Sequence, residues 1–186
     1  MKSPLYPALL CCALSLPALA ALKSGALAPD FSAKASLAGQ EFDFSLAQAL
    51  KKGPVVVYFY PSAYTQGCNI EAHEFSVNAE KFAAAGATII GVSHDSIARL
   101  NEFSKDPEYC AGKFAVASDP DGKVAKSYDL KVFEGKPGMK DTRGIDIDHA
   151  FTERTTFVIA PGGKILATLS SADDKISPRD HVTKSL

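Results

Sequence analysis

The sequence predicts a single α/β domain in which a central mixed β-sheet is flanked by helices. Two apolar runs, VVVYFY at 55–60 and ATIIGVS at 87–93, lack polar alternation, which is typical of strands covered on both faces. A helix-patterned stretch separates them, and strands that alternate with helices imply a parallel core. Near the end, RTTFVIA and KILATLS flank a Pro-Gly-Gly turn and predict an antiparallel hairpin.

The first half of the chain supplies the elements up to the first long helix. SAKASL and EFDFSL flank Ala38-Gly39-Gln40 and predict an N-terminal β-hairpin. LAQALKKG predicts one or two helical turns that end at Gly53 and Pro54. After the strand at 55–60, the apolar spacing predicts a helix that ends at Gly86.

The second half predicts smaller elements. SIARLNEFSKD predicts a helix that stops before Pro107, KFAVAS a third strand, and DPDGKVAKSYDL a turn into a short helix. The polar, charged segment from Lys131 to Phe151 predicts a long loop or insertion, and a solvated surface loop is favoured over a cover for a pocket or a contact for a partner. SPRDHVTKSL predicts a final helix that is capped by Ser177 and has Pro178 in its first turn.

Composition narrows the class of protein. The chain has 186 residues, of which 46% are apolar and 22% charged, so it is long and apolar enough for one domain with a real core. The formal net charge of −1 argues against nucleic acid or an anionic membrane as the main partner.

Residues 1–20 are interpreted as a signal peptide. They contain the early cation Lys2, an apolar stretch, and Ala18-Leu19-Ala20 as a small-residue cleavage site. A membrane anchor is the less favoured alternative, because the run is short and contains Pro7 and Pro17. We therefore expect an exported, periplasmic protein that has no membrane attachment after cleavage.

Removal of this leader changes the cysteine count. Cys11 and Cys12 leave with it, and neither follows the small residue that a lipoprotein signal would place before its cysteine. The remaining domain, 21–186, keeps Cys68 and Cys110. In an oxidising compartment, two cysteines are a pair that can become a disulfide.

Cys68 is the candidate for chemistry. It follows the strand at 55–60 at the edge where open α/β sheets place their sites, and it lies near the first turn of the next helix. Free N–H groups and the helix dipole favour a thiolate there. A lower thiol pKa alone gives only a few-fold gain in rate, because nucleophilicity falls with it. Aimed donors are also needed, and the Thr65 hydroxyl is a candidate. A metal ligand, a structural disulfide or an inert buried thiol remain alternatives.

The segment PSAYTQGC at 61–68 fits Pro-x-x-x-Thr-x-x-Cys and resembles the peroxidatic motif of the peroxiredoxins. Five further segments, in order, resemble the bacterioferritin-comigratory (Q-type) branch of that family: APDF, VVVYFYP, IIGVSHDS, ASDPDGKVAKSYDL and RTTFVIAPGGKI. The resemblance covers most of the domain. It implies a thioredoxin-like fold and a thiol-dependent peroxidase that needs no metal, flavin or haem.

The resemblance also implies a role for each matching residue. Cys68 would be the peroxidatic cysteine, which attacks a peroxide oxygen and becomes a sulfenic acid. Thr65 would hydrogen-bond the peroxide and the sulfur, and Pro61 would shield the pocket from water. Arg154 would stabilise the thiolate and the developing charge, and Glu71 would hold Arg154 in place. Without the resemblance, Pro61 could simply end a strand, Thr65 could cap a helix and Arg154 could be solvated.

The resolving cysteine departs from the family pattern. Many Q-type members carry a second cysteine five residues after the first, but this chain has His73 there. The role therefore falls to Cys110 or to an external thiol. Cys110 lies forty-two residues beyond Cys68, and we expect local unwinding before they pair, since a disulfide needs Cα atoms within about 7 Å.

The expected cycle consumes hydrogen peroxide or an organic hydroperoxide and is completed by a thioredoxin-like electron donor, with the enzyme a monomer or homodimer. The alternative is an exported thiol-based redox sensor or a copper-handling binding protein of the same fold, since His73, His94 and His149 add possible ligands. A thiol:disulfide oxidoreductase is disfavoured because the domain has no Cys-x-x-Cys.

Overall fold

The computed structural model describes residues 20–186, so the predicted leader, apart from its last residue, lies outside the described part. The strands are β1 (Ser32–Leu37), β2 (Gln40–Ser45), β3 (Val55–Phe59), β4 (Thr88–Ser93), β5 (Ala115–Ser118), β6 (Val132–Phe133), β7 (Phe151–Thr152), β8 (Thr155–Ile159) and β9 (Ile165–Ser170). The helices are α1 (Leu46–Leu50), α2 (Gln66–Ala84), α3 (Ile97–Lys105), α4 (Lys123–Ser127) and α5 (Pro178–Ser185).

Seven of these strands form one mixed sheet in the order β2-β1-β5-β4-β3-β8-β9. The central strands β3, β4 and β5 are parallel, whereas β1, β2, β8 and β9 pair antiparallel. The predicted central mixed sheet and N-terminal hairpin are therefore confirmed. The final helix also begins as predicted, with a reciprocal capping box between Ser177 and Asp180 and a proline in its first turn.

Strand β3 divides the core between the two faces of the sheet. All five of its residues are buried, as the absence of polar alternation predicted. Val55, Val57 and Phe59 face the layer that contains α1 and α4. Val56 and Tyr58 face the layer that contains α2, α3 and α5. Both cysteines of the described part, Cys68 and Cys110, belong to the second layer.

A glycine in β4 makes room for the aromatic stack beneath α2. Tyr58 in β3 pairs with Gly91 in the register of the sheet, and a Cβ atom on Gly91 would lie 2.6 Å from Cζ of Tyr58. The Tyr58 ring stacks on Phe75 of α2 with a centroid distance of 4.6 Å. Gly91 thus lets the sheet carry a large ring that supports the helix bearing Cys68.

The segment 131–153 is more ordered than a solvated loop. Most of its residues are exposed, as expected, but its base is a two-stranded ladder between β6 and β7. Its tip, residues 140–147, is a tight turn in which the side chains of Asp141 and Ile147 are buried. The surface-loop interpretation therefore fits the exposed residues 142–146 and fails only at Asp141 and Ile147. Between residues 20 and 186, no helix is long and apolar enough to cross a bilayer.

Candidate active site

The structure places Cys68 in the first turn of α2, at the carboxyl edge of the parallel strands. Its side chain is buried, with 1% exposed. Thr65 is the N-cap residue by its backbone, but its hydroxyl does not cap the helix. Instead, Oγ1 of Thr65 donates to the carbonyl oxygen of Ser62 at 2.9 Å. The hydroxyl oxygen therefore keeps its lone pairs for another donor.

Arg154 reaches Cys68 because of the pairing between β3 and β8. Thr155 lies opposite Phe59, so Arg154 stands at the end of β3 that leads into α2. Its Nη2 atom lies 3.2 Å from Sγ of Cys68. A Cβ atom on Gly67 would lie 3.1 Å from the same Nη2, so this glycine leaves space for the guanidinium. With 10% of its side chain exposed, Arg154 is not a solvated strand-end residue.

Glu71 holds the other branch of the guanidinium. It lies three residues after Cys68, on the same face of α2, and its side chain is fully buried. Nη1 of Arg154 donates to Oε2 of Glu71. Oε1 makes no hydrogen bond to any residue of the described chain. Burial raises the pKa of Glu71 to about 7, although the Arg154 charge acts in the opposite direction.

His181 of α5 was not singled out from the sequence. Its Nδ1 atom lies 3.9 Å from Oε1 of Glu71 and 2.9 Å from Oγ1 of Thr156, and its Nε2 atom lies 2.9 Å from Oγ of Ser171. Burial, followed by the Arg154 charge, lowers the pKa of His181 to about 4, so the imidazole is neutral at pH 7. A histidine in a short polar tail carries no motif or period, so no sequence signal marks it.

The loop from Pro61 to Thr65 is held in place by a second buried carboxylate, that of Asp95. Pro61 is half-buried directly beyond β3. Asp95, in the turn after β4, accepts hydrogen bonds from Oγ of Ser62 at 3.0 Å and from the N–H of Ala63 at 2.8 Å. The side chain of Asp95 is inaccessible to solvent. The loop in front of Cys68 is therefore fixed from the neighbouring strand.

His149 and His94 have neighbours that the sequence did not predict. Nε2 of His149 lies 2.9 Å from Oδ1 of Asp95. Burial opposes protonation of His149, but the hydrogen bond and charge of Asp95 outweigh it and raise its pKa. His94 is buried, with Nε2 2.7 Å from Oγ1 of Thr152, and burial lowers its pKa.

Cys110 lies in the turn after α3 and is a free thiol, as is Cys68. It is fully buried. Burial, together with the charge of Asp106, raises the pKa of Cys110 well above its ordinary value. Cys110 is therefore protonated at neutral pH, unlike a nucleophile prepared for attack.

His73 lies on the exposed surface of α2. Its Nδ1 atom lies 2.9 Å from the carbonyl oxygen of Glu108, so it links α2 to the turn that carries Cys110. In the described residues, no three His, Cys, Asp or Glu side chains come close enough to hold a metal ion together.

The arrangement suits a nucleophilic sulfur that attacks an electrophile with an anionic leaving group. A helix N-terminus and a fixed guanidinium meet at Sγ in a site shielded from water. Such fixed donors stabilise charge that develops during the reaction, because they need no reorganisation.

Comparison with known proteins identifies the family. The model of the AhpC/TSA family matches residues 24–168. Peroxiredoxin Bcp of Bacillus subtilis is 33% identical over 132 residues, which cover 71% of this chain and 74% of that protein.

Solved structures agree. The peroxidoxin BcpB of Mycobacterium tuberculosis aligns with a TM-score of 0.71 and 30% identity over 88% of this chain and 94% of that one. The bacterioferritin comigratory protein of Xanthomonas campestris aligns with a TM-score of 0.61 and 28% identity over 81% and 85% of the two chains. The chain therefore belongs to the AhpC/TSA family and is a peroxiredoxin, a thiol-dependent peroxidase of thioredoxin-like fold that is similar to the bacterioferritin-comigratory (Q-type) members.

Proposed function

We propose that this peroxiredoxin reduces hydrogen peroxide or organic hydroperoxides with Cys68 as the peroxidatic cysteine. The observation that carries the proposal is the contact between Nη2 of Arg154 and the buried Sγ of Cys68. The solved Xanthomonas campestris relative is described by its alkyl peroxide reduction activity, which supports including organic hydroperoxides among the substrates.

In the proposed first step, the Cys68 thiolate attacks the terminal oxygen of the peroxide. An S–O bond forms, the O–O bond breaks, and hydroxide or alkoxide leaves and takes up a proton. Arg154 stabilises the sulfur and the developing negative charge. Thr65 donates its own proton to the Ser62 carbonyl, so its oxygen can accept the hydrogen of the peroxide O–H group. In this step half-buried Pro61, directly beyond β3, shields the reacting sulfur from bulk water.

In the proposed second step, the sulfenic acid of Cys68 condenses with Cys110, and a thioredoxin-like dithiol protein then reduces the disulfide. Both cysteines belong to one buried cluster, and protonated Cys110 can supply the proton that leaves as water. Both thiols are free and lie in separate elements, and the proposed pairing includes local unwinding of the start of α2 or of the turn of Cys110.

Export remains part of the proposal and is supported by the leader-like residues 1–20. An intact mass of protein recovered from the periplasm that begins at Ala21 is the expected result. Cytoplasmic protein whose mass still includes Met1 would contradict the proposed export.

Stopped-flow measurement of peroxide consumption tests the first step. We expect Cys68→Ser to abolish it and Cys110→Ser to leave the first turnover intact while blocking the second. Peptide mapping after one equivalent of peroxide should find the Cys68–Cys110 disulfide in the wild type. A stable sulfenic acid or only mixed disulfides would instead assign resolution to an external thiol.

The sensor or copper-handling alternative predicts a slow thiol whose reactivity changes mainly when copper is added. The guanidinium beside Sγ disfavours it, because a fixed cation repels a metal ion at the same sulfur. Peroxide consumption by Cys68 that is unchanged by copper and by chelators is the expected result.

A further inference from the structure

Residues 61–65 form the loop in front of Cys68. Side chains from other elements hydrogen-bond the backbone of this loop from two directions. From the β4 side, Asp95 accepts the N–H of Ala63 at 2.8 Å. From α3, Nη2 of Arg99 donates to the carbonyl oxygen of Ala63 at 2.9 Å. Buried backbone groups must be paired, so the partners of this loop decide whether it can open.

The tip of the segment 131–153 supplies the other partners. The N–H and the hydroxyl of Thr142 both donate to the carbonyl oxygen of Tyr64, at 2.9 and 2.8 Å. The guanidinium carbon of Arg143 lies 3.2 Å from the centroid of the Tyr64 ring. Nδ2 of Asn69, in the first turn of α2, donates to the same Thr142 hydroxyl at 3.3 Å. The tip thus contacts the loop and the helix start together.

Asp141 fixes this tip to the body of the domain. Its buried carboxylate accepts from Nη2 of Arg99 and from Nη2 of Arg143, both at 2.8 Å. It also accepts the backbone N–H groups of Arg143 and Ile145, which shapes the turn. A buried carboxylate with four such partners holds the tip in one position relative to α3.

Tyr64 lies between the tip and the turn that carries Cys110. Its φ of 62° falls in the left-handed region, which a bulky residue occupies only when its surroundings hold it there. Its ring packs on Phe103 and on Tyr109, the neighbour of Cys110, with centroid distances of 4.9 and 5.6 Å. Unwinding of residues 61–65, or of the turn that carries Cys110, therefore breaks the packing of Tyr64.

We propose that Asp141, Thr142 and Arg143 are positioning residues for the peroxidatic loop. Together these three residues form a clamp that holds residues 61–65 closed while Cys68 reacts. The release of this clamp sets the rate of the disulfide step. This inference rests on the proposed function of Cys68 and Cys110. In the step it controls, an S–S bond forms, the S–O bond of the sulfenic acid breaks, and the hydroxyl leaves with the Cys110 proton as water.

The proposal predicts a split between two rate constants. If the loop is open only rarely, a tenfold increase in the open population leaves the closed population almost unchanged. Peroxide attack, which uses the closed loop, is then unchanged, whereas disulfide formation, which uses the open loop, becomes about tenfold faster. One hydrogen bond or one cation–π contact is enough for about that factor.

Hydrogen exchange of the peptide that covers residues 61–68 tests the clamp in the reduced protein. Arg143→Ala and Thr142→Val should each exchange about tenfold faster than the wild type. Lys140→Ala is the matched control. The ammonium group of Lys140 binds the exposed Asp146 and the carbonyl oxygen of Gly144, both within the tip, so its removal should leave the exchange of residues 61–68 unchanged. In stopped-flow experiments the two clamp variants should form the disulfide about tenfold faster and the sulfenic acid at a rate within about threefold of the wild type.

Wild-type exchange in both clamp variants overturns the inference. Faster exchange with an unchanged disulfide rate overturns the claim that the clamp sets this step. The exchange measurement needs no peroxide, so a wild type that forms no sulfenic acid would defeat the proposed function and leave the clamp to be judged by exchange alone.

Discussion

The Nη2 atom of Arg154 lies 3.2 Å from the Sγ atom of Cys68, although 86 residues separate the two. The contact follows from the register of the sheet, which pairs Phe59 with Thr155 and so places Arg154 beside the start of α2. A shift of one residue in β8 would turn every side chain of that strand to the opposite face. The geometry of the sulfur is thus set by strand pairing.

Replacement of Arg154 tests this contact. Arg154→Ala should lower the second-order rate constant with hydrogen peroxide by about 10²–10³, the usual cost of removing one donor to developing negative charge. Arg154→Lys should recover only part of the loss, because an ammonium cannot contact Cys68 and Glu71 with two branches. Stopped-flow kinetics measures both.

Arg179→Ala is the matched control for this series. Like Arg154, Arg179 binds a glutamate of α2: it lies in α5 and contacts Glu74 at 2.8 Å. Unlike Arg154, two thirds of its side chain is exposed. We expect its rate constant to equal that of the wild type. An Arg154→Ala protein that kept more than a third of the wild-type rate would contradict the role of Arg154.

Gly91 gives a prediction on stability. Gly91→Ala should lower the free energy of unfolding by about 1–3 kcal/mol, because the new Cβ would lie 2.6 Å from the Tyr58 ring, which is itself packed on Phe75. Urea denaturation measures the change. Gly162→Ala is the control, since its Cβ would meet no atom within 4 Å among the described residues. Equal stability of the two variants would show that the stack can yield.

Local sequence patterns predicted much of the fold but little of the site. The apolar run at 55–60 and the cap at Ser177 are properties of neighbouring residues, so their elements were predicted correctly. Strands β6 and β7 have two residues each, too few for a period to show. The position of Arg154 beside Cys68 was expected only from the resemblance to a family, since no spacing connects them.

The missed residues share a physical reason. His181 and the tip residue Asp141 act through contacts between elements far apart in the chain. Such contacts depend on how the helices and the insertion pack on the sheet, and a single sequence does not encode that packing as a pattern. Glu71 was expected to hold Arg154, but its second oxygen, near His181, was not anticipated.

Glu71 should impose a pH dependence on stability. Burial raises its pKa from 4.5 to about 7, so between these values the native state holds a proton that the unfolded state has lost. Stability from this residue therefore falls as pH rises, by about 3 kcal/mol over the window. Urea denaturation of Glu71→Gln and of its parent, both in a Cys68→Ser background, measures the difference. A difference that is constant with pH would show that the ion pair keeps Glu71 ionised.

His181 should impose the opposite dependence over nearly the same range. Its pKa is lowered from 6.5 to about 4, so between these values the unfolded state holds a proton that the native state lacks. Stability from this residue is complete above pH 6.5 and is lost as pH falls, by about 3 kcal/mol. The two slopes cancel in the parent protein between about pH 4.5 and 6.5. In Glu71→Gln only the His181 slope remains, so the free energy of unfolding should fall as the pH is lowered. In His181→Asn only the Glu71 slope remains, so the free energy of unfolding should fall as the pH rises towards neutrality. Parallel pH profiles for the two variants would contradict the pairing, because each substitution must expose the slope of the other residue.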